Sequence, residues 1–298
     1  MLTIEKSPNA VLVRCEGQVL AQYRYDGRSS KPYFDVLNLP PTARRRAGEN
    51  IALARPHDHI WHFGLFFSQR YVDGLNFWET ELLLSKNEPR GQCDPDGDVV
   101  VRTLDGDGGV AFAHGLKWVT STGETWVTEH REIAVRPPDG DGYRIDWTLR
   151  LTAVGKDRVL TSAPPADNEY SGLSYRCLRC MDKGTLLDSE GRSDVKAILG
   201  RPARWADYSG KLDDCAVWGD PDWAGIAMFD HPGNPNHPVR WFCMNEPFGF
   251  LAANPSYGRK WTLPADTPVT LRYGVYIHAG PGDRRLLEAA YDAFARTA

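Results

Sequence analysis

Residues 143–153 read YRIDWTLRLTA, and this run constrains the fold more than any other. Ile145, Trp147, Leu149, Leu151 and Ala153 share one face, while Arg144, Asp146, Thr148, Arg150 and Thr152 share the other. A period of two suits a strand with one buried face and does not suit a helix. The turn PPDGDG precedes it, with ETWVTEHREIAV before that, so the pair reads as a hairpin. Further strands are expected over 10–15, 19–25, 98–104, 109–119, 172–178, 214–219, 224–230, 239–244, 248–252 and 269–278. Only the C-terminus has helical spacing, with Leu286, Leu287, Ala290, Tyr291 and Phe294 on one stripe and Asp283 near its start. The expected fold is all-β: a large antiparallel sandwich over 1–298 as one domain, closed by a short C-terminal helix.

The 298 residues carry a formal charge of -4, and the densest basic run is Arg44, Arg45 and Arg46. This argues against a nucleic-acid footprint. No apolar run reaches the roughly 20 residues of a membrane helix. Glu5, Lys6 and Pro8 occupy the place of a signal peptide's apolar core, so a cytoplasmic location is expected. Of the six cysteines, Cys177 and Cys180 form a Cys-x-x-Cys within a segment that reads as a strand. There the two thiols would face opposite ways and would not chelate one metal. There is no glycine-rich phosphate loop, no Gly-x-Ser-x-Gly and no His-Glu-x-x-His, which argues against nucleotide-binding and serine-hydrolase chemistry.

Two histidine-rich turns are the main candidates for chemistry. RPHDHIWHFGLFF holds His57, His59 and His62 beside Asp58 and Trp61. In a straight strand His57 and His59 would share a face; His59 and His62 converge only if 57–62 turns. Pro56 and Asp58 favour that turn, and FGLFF favours a strand after it. The second, DHPGNPNHP, holds His231, Asn234 and His237 in a proline-stiffened loop. An imidazole titrates near neutral pH and can move a proton there. Glu129 and Arg131 lie among the apolar residues of one strand face, so they either pair or line a cavity. Arg176 is placed to grip an oxygen. Lys31 and Tyr33, Trp78 and Glu79, and His278 at a strand end complete the candidates. The ten Trp, twelve Tyr and eleven Phe suit thick packed sheets, and they also suit stacking on sugar rings.

In order along the chain, KPYF, HDHIWHFGLFF, VDGLNFWE, WVTEHREI, GLSYR and DHPGNPNHPVRWF resemble the PmoA-like domain family of unknown function. Asp58, His59, His62 and Gly64 match its first signature, and His231, Pro232, Asn234, Pro235 and Trp241 its second. Ile60, Trp61 and Phe63 stand where the pattern has Pro, His and Arg. The family's name comes from a methane oxygenase whose subunit is membrane-embedded, and this chain lacks such a segment. The resemblance implies a galactose-mutarotase-type supersandwich and a carbohydrate-related role.

The expected function is acid–base chemistry on a sugar or glycoside, by glycosidic cleavage or epimerisation, without a cofactor or metal. His59, His62, Glu129, His231 and His237 would be catalytic. Lys31, Tyr33, Trp61, Glu79, Arg176, Asn234, Trp241 and His278 would bind the substrate. A metal-dependent oxygenase using His57 and His59, and a non-catalytic carbohydrate-binding protein, are the alternatives. The oligomeric state is not legible.

Overall fold

The structure, a computed structural model, describes residues 1–27, 29–41, 49–79, 90–162, 169–212 and 222–297. The arginine run 44–46 and the strand expected over 214–219 lie outside them. Strands β1 (Leu2–Lys6), β2 (Ala10–Cys15), β3 (Gln18–Arg24), β4 (Tyr33–Leu37) and β5 (Leu65–Ser68) come first. Two short strands, β6 (Tyr71–Val72) and β7 (Leu75–Asn76), follow. The long strands β8 (Gly91–Thr103), β9 (Val110–Thr120), β10 (Thr125–Val135) and β11 (Gly142–Ala153) then run as a meander. Next are β12 (Arg158–Thr161), β13 (Gly172–Arg176), β14 (Thr185–Asp188), a four-residue helix α1 (Val195–Ile198), β15 (Trp205–Lys211) and β16 (Trp223–Asp230). The chain closes with β17 (Arg240–Met244), β18 (Phe250–Asn254), β19 (Trp261–Leu263), β20 (Val269–Ala279) and the helix α2 (Arg284–Ala295).

The strands form two large sheets and one small one. The first sheet has the order β1-β2-β3-β4-β5-β13-β18-β17, and the second β14-β15-β16-β20-β11-β10-β9-β8. A four-stranded sheet, β19-β12-β6-β7, joins them. Neighbouring strands are antiparallel; in the hairpin of β10 and β11, Val135 lies opposite Ile145. The two large sheets face each other. Tyr23 and Phe34 of the first meet Trp147 of the second at ring-centroid distances of 6.3 and 5.7 Å. One continuous apolar cluster, from Leu2 to Ile277, fills the space between the sheets. This is the expected antiparallel sandwich, and its driving force is apolar burial.

Strands β5, β13 and β18 of the first sheet are buried on both faces, and that positions the site. On β5, Leu65 and Phe67 enter the core between the sheets, while Phe66 points outward into a second cluster. On β18, Leu251 and Ala253 point inward, and Phe250 and Ala252 outward. On β17, Trp241 and Cys243 point inward and Phe242 outward. The near-continuous apolar runs LFF and FGFLAA are the sequence counterpart of this two-sided burial.

The C-terminal helix forms where its spacing predicted. The Asp283 carboxylate accepts from the Leu286 backbone N–H at 2.9 Å and caps it. Leu287, Tyr291 and Phe294 pack on Trp205, Ala227 and Phe229, the outer face of the second sheet. The expected strand over 172–178 stops at Arg176, and Arg179–Met181 is a 3-10 turn. Cys177 is buried and Cys180 half-buried, and the five described cysteines are free thiols. No described helix is long and apolar enough to cross a membrane.

Candidate functional site

The segment 55–63 folds as a tight double turn over the outer face of the first sheet. The His59 N–H donates to the Pro56 carbonyl at 3.1 Å and the His62 N–H to the His59 carbonyl at 2.9 Å. The Arg55 N–H closes the turn on the His62 carbonyl at 2.7 Å. Gly64 then carries the chain into β5 at φ +73°. A Cβ there would lie 2.3 Å from the Phe34 carbonyl oxygen, so a side chain is excluded by both space and backbone angle.

This turn brings His59 and His62 together. Their rings stack with centroids 4.8 Å apart and planes 18° from parallel. The His59 side chain is 28% exposed, with its Nδ1 buried 3.6 Å from the Asp58 carboxylate. That is just outside hydrogen-bond reach. His62 is wholly buried, and neither ring nitrogen has a partner among the described residues. Around it stand Phe250 at 4.8 Å, Tyr170 and Phe248 at 5.7 Å and Trp78 at 6.2 Å.

Arg176 rises from β13 into the same shell, because Ser174 and Arg176 alternate with the inward-facing Leu173 and Tyr175. Its guanidinium lies 3.7 Å from the Phe248 ring centroid, within cation–π range. Nη2 donates to Asp58 Oδ2 at 3.1 Å, while Nε and Nη1 are buried without a partner among the described residues. Asp58 also accepts from Arg179 at 3.1 Å, and Arg179 contacts His57 Nδ1 at 3.2 Å. Burial pushes the Asp58 carboxyl up, but Arg176 and Arg179 outweigh it and hold the group at about 2. Burial lowers the His59 imidazole below its ordinary value, Asp58 opposes this, and Arg176 adds to the depression. Burial lowers His62 much further, reinforced by His59, Arg176 and Lys31. Both imidazoles are therefore neutral at pH 7.

Lys31, Tyr33, Trp61 and Glu79 join this neighbourhood. Lys31 is buried, donates to the Trp78 carbonyl at 2.6 Å and lies 5.1 Å from the Phe63 ring and 5.4 Å from the Phe66 ring. Tyr33 packs on Phe63 at 4.7 Å, and Trp61 on His59 at 5.2 Å. Glu79 follows Trp78 and is held by Arg70 at 3.2 Å and Asn76 at 2.9 Å.

The other expected residues sit elsewhere. Glu129 faces the core between the sheets, fully buried, and accepts from Arg131 at 2.6 Å and Trp118 at 2.9 Å. Arg131 in turn donates to Tyr23 at 2.9 Å. This is the paired alternative, not the cavity one. Trp241 points into that same core and donates to the Ala203 carbonyl at 2.9 Å. Period two puts its neighbour Phe242 on the site face instead. His278 lies on the outer face of the second sheet, 2.9 Å from Asp207. Burial lowers its imidazole, but Asp207 outweighs that and leaves it raised.

The loop 230–238 is stitched down at the other sheet. Asn234 donates to Asp230 at 2.8 Å and to the Arg272 carbonyl at 2.6 Å, and accepts from the Arg272 N–H at 2.7 Å. His237 Nδ1 lies 2.7 Å from Asp230, and His231 Nε2 lies 3.1 Å from the Thr297 carbonyl. His231 packs on Phe294 of the C-terminal helix. The polar groups of this loop are engaged by Asp230, Arg272 and Thr297, and its described side-chain contacts run to these residues and Phe294 rather than to His59 or His62.

Sequence reasoning missed Tyr170 and Phe248, which border His62 from distant loops. No local signal marks either one. Among the described residues no three His, Cys, Asp or Glu side chains form a metal-ligating group. The near-parallel ring planes of His59 and His62 keep their in-plane lone pairs from meeting at one point.

A family model of unknown function, DUF6807, matches residues 10–292. The chain belongs to the DUF6807 family. No curated protein matches it. Among solved structures, one described as "Crystal Structure Analysis of HI1317" is 8% identical, with a TM-score of 0.27, covering 94% of this chain and all of that one. A likeness that weak carries no argument about this chain. Membership in DUF6807 places the residues described above in a family without an assigned chemistry.

Proposed function

We propose that this DUF6807 member is an enzyme acting on a sugar or glycoside at the outer face of its first sheet, with His59 as the proton-transferring group. The observation that carries this reading is the meeting of a neutral, partly open His59 with Asp58, buried His62 and buried Arg176 inside an aromatic shell. A neutral imidazole beside a carboxylate can take a proton from a substrate hydroxyl or C–H, and Asp58 stabilises the imidazolium that results. Arg176 and His62 offer polar atoms to oxygens, while the aromatic rings suit the apolar faces of a sugar ring. The match of Asp58, His59, His62 and Gly64 to the PmoA-like pattern supports the same site, as does its carbohydrate association. The galactose-mutarotase-type plan is part of this reading. Glu129, His231 and His237 have no direct role in it, because their side chains are engaged elsewhere.

The test is a panel of sugars and glycosides read for thermal stabilisation and for turnover. A ligand at about 100 times its dissociation constant adds roughly 2.7 kcal/mol of stability. The expected result is one class that both stabilises and is converted, with His59→Gln keeping binding and losing conversion. Binding without conversion would make the protein a carbohydrate-binding module. Stabilisation only by iron or copper, abolished by chelator, would favour the oxygenase alternative.

A further inference from the structure

The polar atoms left open at the site are unequal in kind. Arg176 Nε and Nη1 and Trp78 Nε1 are donors only, all buried and without acceptors among the described residues. His62 is neutral and contributes one donor and one acceptor. Among the described residues, the unpartnered atoms of the site thus include more hydrogen-bond donors than acceptors. A neutral sugar hydroxyl both donates and accepts, so it does not match such a surplus. A group made only of acceptor oxygens does.

The charge balance points the same way. Arg176 and Arg179 share the single carboxylate of Asp58, and Glu79 is engaged by Arg70. Among the described residues, two guanidiniums thus share one carboxylate beside the His59–His62 stack. The Phe248 ring lies against the guanidinium and also against both imidazoles, so Arg176 and the two histidines border one aromatic wall. Nε–H and Nη1–H lie on opposite edges of the guanidinium, so each offers one charge-assisted hydrogen bond to an acceptor oxygen. A carboxylate brings one negative charge and a phosphate ester up to two, so one guanidinium that already shares Asp58 suits the carboxylate.

We propose that the ligand of this site carries a carboxylate, as a uronic or other acidic sugar does, and that Arg176 is its anchor. This rests on the sugar-site reading above and narrows it. The carboxylate would accept from one of the two N–H groups, Nε or Nη1, that have no partner among the described residues, with the sugar ring extending toward His59.

The experiment measures binding by the full chain of glucuronate, galacturonate, their uronamides, the parent neutral sugars and glucose 6-phosphate. At least one uronate is expected to bind about 10- to 100-fold tighter than its own uronamide, the gain of a charge-assisted contact over a neutral one. That preference should shrink as salt is raised and vanish in Arg176→Met, which keeps the stem packed on Phe248. The amide comparison needs no variant, so it decides the question even if Arg176→Met does not fold. Neutral sugars binding as tightly as uronates would overturn the carboxylate and leave the sugar site standing. Tighter binding of glucose 6-phosphate than of any uronate would overturn it in favour of phosphate. Binding by none of these would overturn both readings.

Discussion

His59 and His62 lie three residues apart with rings stacked at 4.8 Å, one partly open to solvent and the other sealed. Two imidazoles this close cannot both be protonated without repulsion, and burial already disfavours the charged form of each. The open ring is therefore a base at neutral pH, and the sealed ring a neutral hydrogen-bonding group behind it.

Once a substrate is in hand, the rate should rise with pH to a plateau, with its inflection below pH 6.5. The sign follows from His59: its value is lowered, so the neutral base is already populated at 6.5 and is lost only in more acid solution. His59→Gln should lower kcat by about 100-fold or more. An inflection above 6.5 in the pH–rate profile would contradict the assignment.

Stability should respond in opposite senses at two buried histidines. The unfolded chain protonates His62 near pH 6.5 while the folded protein resists, so its contribution is present above that value and is lost as pH falls. His278 is raised by Asp207, so its contribution is complete below pH 6.5 and is lost as pH rises through the folded value. Denaturant titrations should show that His62→Phe flattens the acid side of the stability curve. His278→Asn should cost more at pH 6 than at pH 9.

Asp58 adds a third, more acidic limb. Its carboxyl is held at about 2, so its contribution is complete above about pH 4 and disappears as pH falls toward 2. Discounted for its partial exposure, this is about 1–2 kcal/mol. Asp58→Asn should remove it, and should weaken any ligand held by Arg176 by altering the guanidinium's position. Acid-unfolding midpoints measure the first effect and titration calorimetry the second.

Glu129→Gln tests whether that carboxylate is part of the chemistry. It leaves the Arg131 charge in the core without its counter-ion, which should cost about 3–5 kcal/mol. Ligand affinity in the protein that remains folded should be unchanged, because Glu129 lies between the sheets and not on the outer face. A fall in affinity or turnover with stability intact would return Glu129 to the site.

Gly64→Ala should destabilise by at least about 2 kcal/mol, since it combines a left-handed backbone angle with a carbonyl in the way of the new Cβ. The same change should weaken ligand binding, because Gly64 sets the double turn that stacks His59 on His62. Thermal melts with and without ligand separate the two effects.

The sequence by itself determined the sandwich, the hairpin of β10 and β11, the capped C-terminal helix and the turn at 57–62. Each is local: period-two alternation, a turn dipeptide, a capping carboxylate and a proline act within about ten residues, so their physics is written in neighbouring letters. It also narrowed Glu129 and Arg131 to two possibilities, since a buried charge among apolar residues must be paired or line a cavity. Which one holds depended on the facing sheet. The same is true of Trp241 and His278, whose strands were legible but whose faces were not. A strand announces that its side chains alternate, not which face another layer will cover, nor with what. Only the tertiary structure decided that β5, β13 and β18 of the first sheet are covered on both faces. It alone brought Tyr170 and Phe248 from distant loops beside His62, and it set the Arg176 guanidinium against Phe248. The loop 230–238 shows the converse case: its composition suggested a site, but Asp230, Arg272 and Thr297 use its polar groups to fasten it to the second sheet and the chain end.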